Sequence, residues 1–210
     1  MKMTREQVLY WRSRGNQYIK TDLSDVDCNG INFCNAIFRN TNFVNSNLTG
    51  AILTRARFYN TNLTGADLSG ADLSGADLTD AVLFDVKVCG ATLDTHSFRQ
   101  LLRNDVKDFR NCDLRGVDLF ETNLSGVNLT GANLLNARFK GALHIDQASI
   151  DDRTQFIDIP EGCTSSAQNV LDEFMHLYAD LAPVSAAAAE KVTTAKKISG
   201  TASALATVSM

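Results

Sequence analysis

From Leu23 onward, every fifth residue is Leu, Phe or a small apolar substitute, for sixteen unbroken steps that end at Phe98. The beat resumes at Phe109 and runs by fives through Leu114, Leu119, Leu124, Leu129 and Leu134 to Phe139. A period of five is neither the 3.6 of an α-helix nor the 2 of a flat strand. One such unit cannot bury its apolar residue alone, so the chain must stack its units into a solenoid.

The other positions of the unit follow from the large apolar one, called i. Leu or Phe fills i in 21 of 23 steps, so i faces a core. Position i−2 is small in 20 of 23, the exceptions being Ile31, His96 and Lys107, so it also points inward. Position i−1 is mostly Asp or Asn and is expected to face water. Position i+2 is Gly or Asn in most steps and marks a corner, where left-handed backbone is tolerated. Each unit is then a short extended side plus a turn, and each coil hydrogen-bonds to the next at ~4.8 Å.

The tandem A(D/N)LxG pattern, purest at residues 66–80, resembles the pentapeptide-repeat family from residue 21 to 139 and on to about 160. The resemblance implies an all-β solenoid: a right-handed quadrilateral β-helix of about six coils, with short N- and C-terminal α-helices. Four units per coil would stack Phe38, Phe58, Leu78 and Phe98 in one column. About six coils at ~4.8 Å make a rod of roughly 29 Å. Its interior is filled by i and i−2 side chains and its exterior is four flat faces, which argues against an enzyme and leaves no cofactor or metal expected.

The chain divides into four parts. Residues 1–20 read as a capping helix, opened by a Thr4–Gln7 capping box, with Val8, Leu9 and Trp11 as its apolar side, the alternative being a basic patch for an acidic partner. Residues 21–160 are the repeat body, with an irregular break at 99–108 that is either a single bulged residue or a small helical bulge, since Leu101, Leu102 and Val106 have helical spacing. Residues 161–183 read as an amphipathic helix presenting Phe174, Leu177, Tyr178 and Leu181 on one side. That helix either caps the last coil or pairs two rods, and gyrase-directed family members that pair through their C-termini keep a homodimer in view. Residues 184–210 are rich in Ala, Ser and Thr and read as a mobile tail.

Charge and composition exclude several classes. Residues 1–20 hold five Lys/Arg and one Glu, whereas residues 21–160 hold twelve Lys/Arg against eighteen Asp/Glu. An acidic body argues against direct nucleic-acid binding. No apolar run approaches the ~18 residues of a membrane span. The five cysteines form no CxxC pair and fit a reduced, cytoplasmic protein. His96, His144 and His176 are far apart, and no phosphate-binding glycine loop occurs.

What remains is surface. Asp67, Asp72 and Asp77 recur around one coil, and Asp108, Asp113 and Asp118 around a later one, as two acidic belts. Arg99 and Arg103 lie in the break, where a basic bulge could recognise a partner. Three uses of such a rod are open. The first is a scaffold that binds an unidentified partner protein through mildly acidic faces. The second is a DNA mimic acting on DNA gyrase, as resemblance to the quinolone-resistance branch implies. The third is a secreted bacterial effector built on the same scaffold. Against mimicry, twelve cations and eighteen anions leave −6 on the body. That is one charge per ~5 Å of rod, whereas B-DNA carries one per ~1.7 Å.

Overall fold

Backbone pairing in the computed structural model runs at an offset of twenty residues from Lys2 through Thr92. Strands β1 (Gln17–Ile19), β2 (Ile37–Arg39) and β3 (Arg57–Tyr59) form a parallel sheet in which Tyr18 faces Phe38 and Phe38 faces Phe58. Single parallel bridges extend the same register around the coil, as in Asp22↔Asn42↔Asn62↔Val82 and Asp27↔Asn47↔Asp67↔Lys87. Twenty residues divided into units of five give four sides, so the chain is a β-helix. The structure describes residues 2–15, 17–139, 141–151 and 153–155. The expected helix at 161–183, with Phe174, Leu177, Tyr178 and Leu181, and the tail at 184–210 lie outside the described residues.

Burial follows the five-residue beat. From Leu23 to Leu134 every described residue at position i is buried, and most residues at i−2 are buried beside them. Aromatic rings one coil apart stack: Tyr18 on Phe38 and Phe38 on Phe58, each with centroids 5.0 Å apart. Phe33 and Phe43 meet Phe38 edge-on from the neighbouring sides. Tyr18 is thus a further step of the beat, one unit before Leu23.

The corners close by backbone geometry. The N–H of Ala66 donates to the Leu63 carbonyl at 2.9 Å, and Gly65 between them has φ +68°. That left-handed third residue is the geometry of a type II turn, which favours Gly or Asn. A Cβ on Gly65 would stand 2.5 Å from Asn45 Oδ1 of the coil below, so a larger residue there would need the Asn45 side chain to move.

The first coil is covered by α1 (Arg5–Arg12). Thr4 and Gln7 form a reciprocal cap: Gln7 N–H donates to Thr4 Oγ1, and Thr4 N–H donates to Gln7 Oε1. The helix inserts only Val8 into the core. Leu9 and Trp11, expected to pack with it, are exposed. An eight-residue helix lying across a narrow coil end can turn only one residue fully inward.

Of the two readings of the break at 99–108, a bulged residue or a small helical bulge, the structure has the helix, α2 (Thr95–Arg103), which starts before the break. Asp94 caps it by accepting from the Ser97 N–H, and Ser97 Oγ accepts from the Asp94 N–H. The helix replaces part of the coil wall rather than projecting from it: Phe98, Leu101 and Gln100 are buried. The detour adds one residue to the coil, so pairing resumes as Thr92↔Asp113 at an offset of twenty-one.

Candidate functional site

Position i−1 has a structural duty. In unit after unit its Oδ1 accepts the N–H of residue i+1, for example Ser69 N–H to Asp67 (3.0 Å), Ser74 N–H to Asp72 (3.0 Å) and Phe120 N–H to Asp118 (3.0 Å). Asn47, Asn62, Asn123 and Asn128 do the same with their amide oxygens. This is the Asx-turn bond, which competes well for a local backbone donor. The i−1 carboxylates therefore bend back on their own turns, and most are partly buried rather than fully solvated.

The coil register brings the six candidate aspartates together in two sets. Asp67, Asp72 and Asp77 occupy three consecutive sides of one coil. Asp72↔Thr92↔Asp113 carries the column across α2, so Asp113 stands two rungs from Asp72 on the same side. Asp108 and Asp118, five residues to either side of Asp113, continue the sides of Asp67 and Asp77. Two rungs are ~9.6 Å.

The two belts differ in charge. Asp108 is gripped by Arg110 and Asp113 by Arg115, each through paired contacts between 2.7 and 3.1 Å. Asp118 has no ion pair among the described residues. In the first belt Asp67 also has none, Asp72 accepts from the Ser74 and Thr54 hydroxyls, and Asp77 accepts from Thr79 Oγ1 at 2.7 Å. His96 Nε2 stands 4.0 Å from Asp77. The first belt thus has no Lys or Arg ion pair among the described residues, although Lys87 and Arg57 stand one rung from Asp67 and Asp77.

These bonds hold the carboxyls of Asp72, Asp77, Asp108 and Asp113 below their ordinary range. The Thr79 hydroxyl is the main cause at Asp77, and the Arg115 guanidinium the main cause at Asp113. At Asp72, burial pushes upward, but the bonds from Ser74 and Thr54 outweigh it. A carboxyl lowered in the folded state stabilises above its unfolded pKa of ~3.9 and loses that contribution as pH falls through the folded value. Stability, read as the urea midpoint, is expected to be flat from neutral pH to about 4 and to fall below it. In Asp113→Asn the acid-side fall should be shallower. An unchanged profile in that variant would show that the Arg115 pair is not linked to folding.

Arg99 and Arg103, the other two candidates, have different fates. Arg99 reaches across to the next coil and donates to the carbonyls of Asp118 (3.0 Å) and Phe120 (2.7 Å). Arg103 is exposed at the end of α2. The neighbouring Gln100, which sequence reasoning passed over, works toward the coil below. Its Oε1 accepts the Leu78 N–H at 2.8 Å, and its Nε2 donates to Thr79 Oγ1 at 2.6 Å. Thr95 Oγ1 accepts the Asp118 N–H at 2.9 Å on the other side. An α-helix spends its backbone bonds on itself, so it cannot continue a β ladder. Here side chains of α2 supply the missing rungs in both directions.

Among the described residues no group of three His, Cys, Asp or Glu could hold a metal ion, and no helix is long and apolar enough to cross a membrane. Cys28 and Cys112 are buried, and burial pushes both thiols up to about 12. Such thiols are inert at neutral pH and act as small core residues.

Comparison with known proteins agrees with this geometry. Residues 19–55, 56–94 and 108–143 match the family model for pentapeptide repeats, in eight copies. Similar solved structures include a pentapeptide repeat protein from the thylakoid lumen of Arabidopsis thaliana. It is 26% identical over 52% of this chain and 70% of that one, with a TM-score of 0.38. HetL, a pentapeptide repeat protein involved in heterocyst differentiation regulation in the cyanobacterium Nostoc, is 28% identical over 70% of this chain and 61% of that one (TM-score 0.28). A trypsin-treated form of QnrB1, a plasmid-mediated fluoroquinolone resistance protein, is 15% identical over 80% of this chain and 90% of that one (TM-score 0.29). No curated protein matches the chain.

Proposed function

The chain belongs to the pentapeptide-repeat family, and from that premise we propose that it is a non-catalytic scaffold that binds a partner protein through the outward faces of its coils. The right-handed sense and the count of about six coils belong to the same reading. The column Asn32↔Ile52↔Asp72↔Thr92↔Asp113↔Asn133↔Gln155 supports the count. The observation that carries the proposal is the division of labour within each unit. Positions i and i−2 fill the interior, leaving chemistry only to the side chains that point out. Among those, Asp67, Asp72 and Asp77 form the belt with no Lys or Arg ion pair among the described residues, and it is the contact proposed for the partner. Free cysteines in the described residues fit a reducing, cytoplasmic setting.

The DNA-mimic reading is disfavoured by the second belt. Mimicry needs dense, unpaired carboxylates, and Arg110 and Arg115 neutralise two of the six aspartates.

The Asx geometry supplies a clean test, because Asn at i−1 keeps the turn bond while removing the charge. The triple variant Asp67→Asn, Asp72→Asn, Asp77→Asn is expected to stay folded, with a urea midpoint somewhat below the wild type because the Ser74, Thr54 and Thr79 hydroxyls lose a charged acceptor. In quantitative affinity capture, a partner held by the wild type should be lost by this variant. A partner retained equally by both would remove the first belt from the account. Inhibition of gyrase supercoiling by the wild type would replace the scaffold reading with the mimic.

A further inference from the structure

The N-terminal end of the coil carries a surface opposite in chemistry to the belts. Of the five cations in residues 1–20, two are used internally: Lys2 pairs with Asp25 at 2.8 Å, and Arg5 donates to the Asp27 and Asn29 carbonyls. Arg14 and Lys20, and Arg39 and Arg57 on the coils above, are exposed and have no ion pair among the described residues. Lys20, Arg39 and Arg57 lie on one side of the coil, and Arg14 stands three residues before the strand that opens that side. Tyr18 Oη donates to the Val8 carbonyl and ties α1 to β1 (3.4 Å). The Lys20 N–H donates to the Arg39 carbonyl (2.8 Å), and Arg57 is in register with Ile37 of the same strand as Arg39.

Two of the guanidinium groups stand over aromatic rings. Arg39 stands 4.4 Å over Tyr59 and Arg14 4.9 Å over Tyr10. A cation over a ring face keeps donors for a carboxylate. Beside Arg14, α1 exposes Tyr10 and Trp11 at 55% and 54%. The core needed only Val8 from this helix, so these rings have no internal role.

We infer that this end is a docking surface for a short acidic segment of a protein, with carboxylates for Arg14, Lys20, Arg39 and Arg57 and apolar side chains for Tyr10 and Trp11. Exposed Trp, Tyr and Arg side by side are the residue types that carry most binding energy at protein interfaces. Shape selects the class of partner. The helix lies across the coil end for ~12 Å, and the cationic rungs climb the side for ~10 Å. A flat bilayer can meet one of these limbs but not both. A long polyphosphate would overrun the patch onto a body where eighteen acids outnumber twelve bases. An extended segment of about seven residues spans ~23 Å and ends where the patch ends.

The test uses the full chain and a fluorescein-labelled peptide of about seven residues that alternates Glu with Leu. Binding by anisotropy is expected, and it should weaken about tenfold in Arg39→Glu/Arg57→Glu and in Trp11→Ala. Both variants should keep the wild-type circular dichroism and urea midpoint, since the altered side chains are exposed. Raising salt from about 0.1 M to about 1 M should weaken binding further, as the screening length falls from ~10 Å to ~3 Å. No binding, or binding indifferent to both variants, overturns the inference. Tighter binding of an oligothymidylate, or sedimentation with phosphatidylserine vesicles, overturns it in favour of nucleic acid or lipid. The belt variants leave these cations intact, so failure here and failure of the acidic-belt reading are separate results.

Discussion

Replacing Phe38 with Ala is expected to cost about 3–5 kcal/mol of stability, enough to remove much of the margin of a domain this size. Phe38 is fully buried and lies within 5.4 Å, ring centre to ring centre, of Tyr18, Phe33, Phe43 and Phe58. Four aromatic neighbours drawn from three coils cannot all collapse into the space left by one ring, so the cavity would persist. Phe84 provides the contrast. It occupies the outward i+1 position and is 74% exposed. Phe84→Ala should stay within about 0.5 kcal/mol of the wild type. Urea unfolding of both variants at constant m measures the difference. Equal costs would mean that the five-residue beat does not separate inside from outside.

The second large effect is expected at Gln100. In Gln100→Ala the Leu78 N–H loses its acceptor inside the wall, and such an orphaned buried donor costs about 1–3 kcal/mol. The Thr79 hydroxyl loses a partner in the same step. Arg103→Ala, one turn further along α2 and exposed, should be nearly silent. Hydrogen exchange at the Leu78 amide gives a local reading: it should quicken in Gln100→Ala and not in Arg103→Ala. If Gln100→Ala were as silent as Arg103→Ala, the helix would be held in the wall by packing alone.

How far the sequence carried can be seen in particular residues. The beat named the core correctly because burial of one Leu or Phe per unit is what stabilises a coil, and Gly65 was legible as a corner because few residues tolerate its backbone. Position i−1 misled. Asp and Asn look like water-facing residues, yet Asp67 and Asn47 serve the same turn bond, and only geometry separates a solvated carboxylate from an Asx acceptor. The Asp108–Arg110 and Asp113–Arg115 pairs were visible as a D-x-R spacing. Reading them as ion pairs, though, needs both side chains on one face of a short side, which the spacing alone does not give.

A helical turn in the break was legible from Leu101, Leu102 and Val106, but its start was hidden by Phe98, which keeps the five-residue count while sitting on the helix. The signal for the start is the reciprocal cap between Asp94 and Ser97. At α1 the apolar residues are spread around the helix rather than gathered on one face. Val8 faces the coil, and Tyr10, two residues on, points away from it, so the N-terminal end presents an exposed aromatic surface.

Recognition by the outward rungs, with an interior that serves only the fold, is tested most directly by hydrogen exchange of the chain bound to its captured partner. The Ser69, Ser74 and Thr79 amides donate to Asp67, Asp72 and Asp77, whereas those of Leu68 and Leu73 donate to the next coil. The scaffold account predicts that binding slows exchange at the three outward amides and leaves the two ladder amides unchanged. Slowing confined to other parts of the coil, with Ser69, Ser74 and Thr79 unaffected, would contradict it.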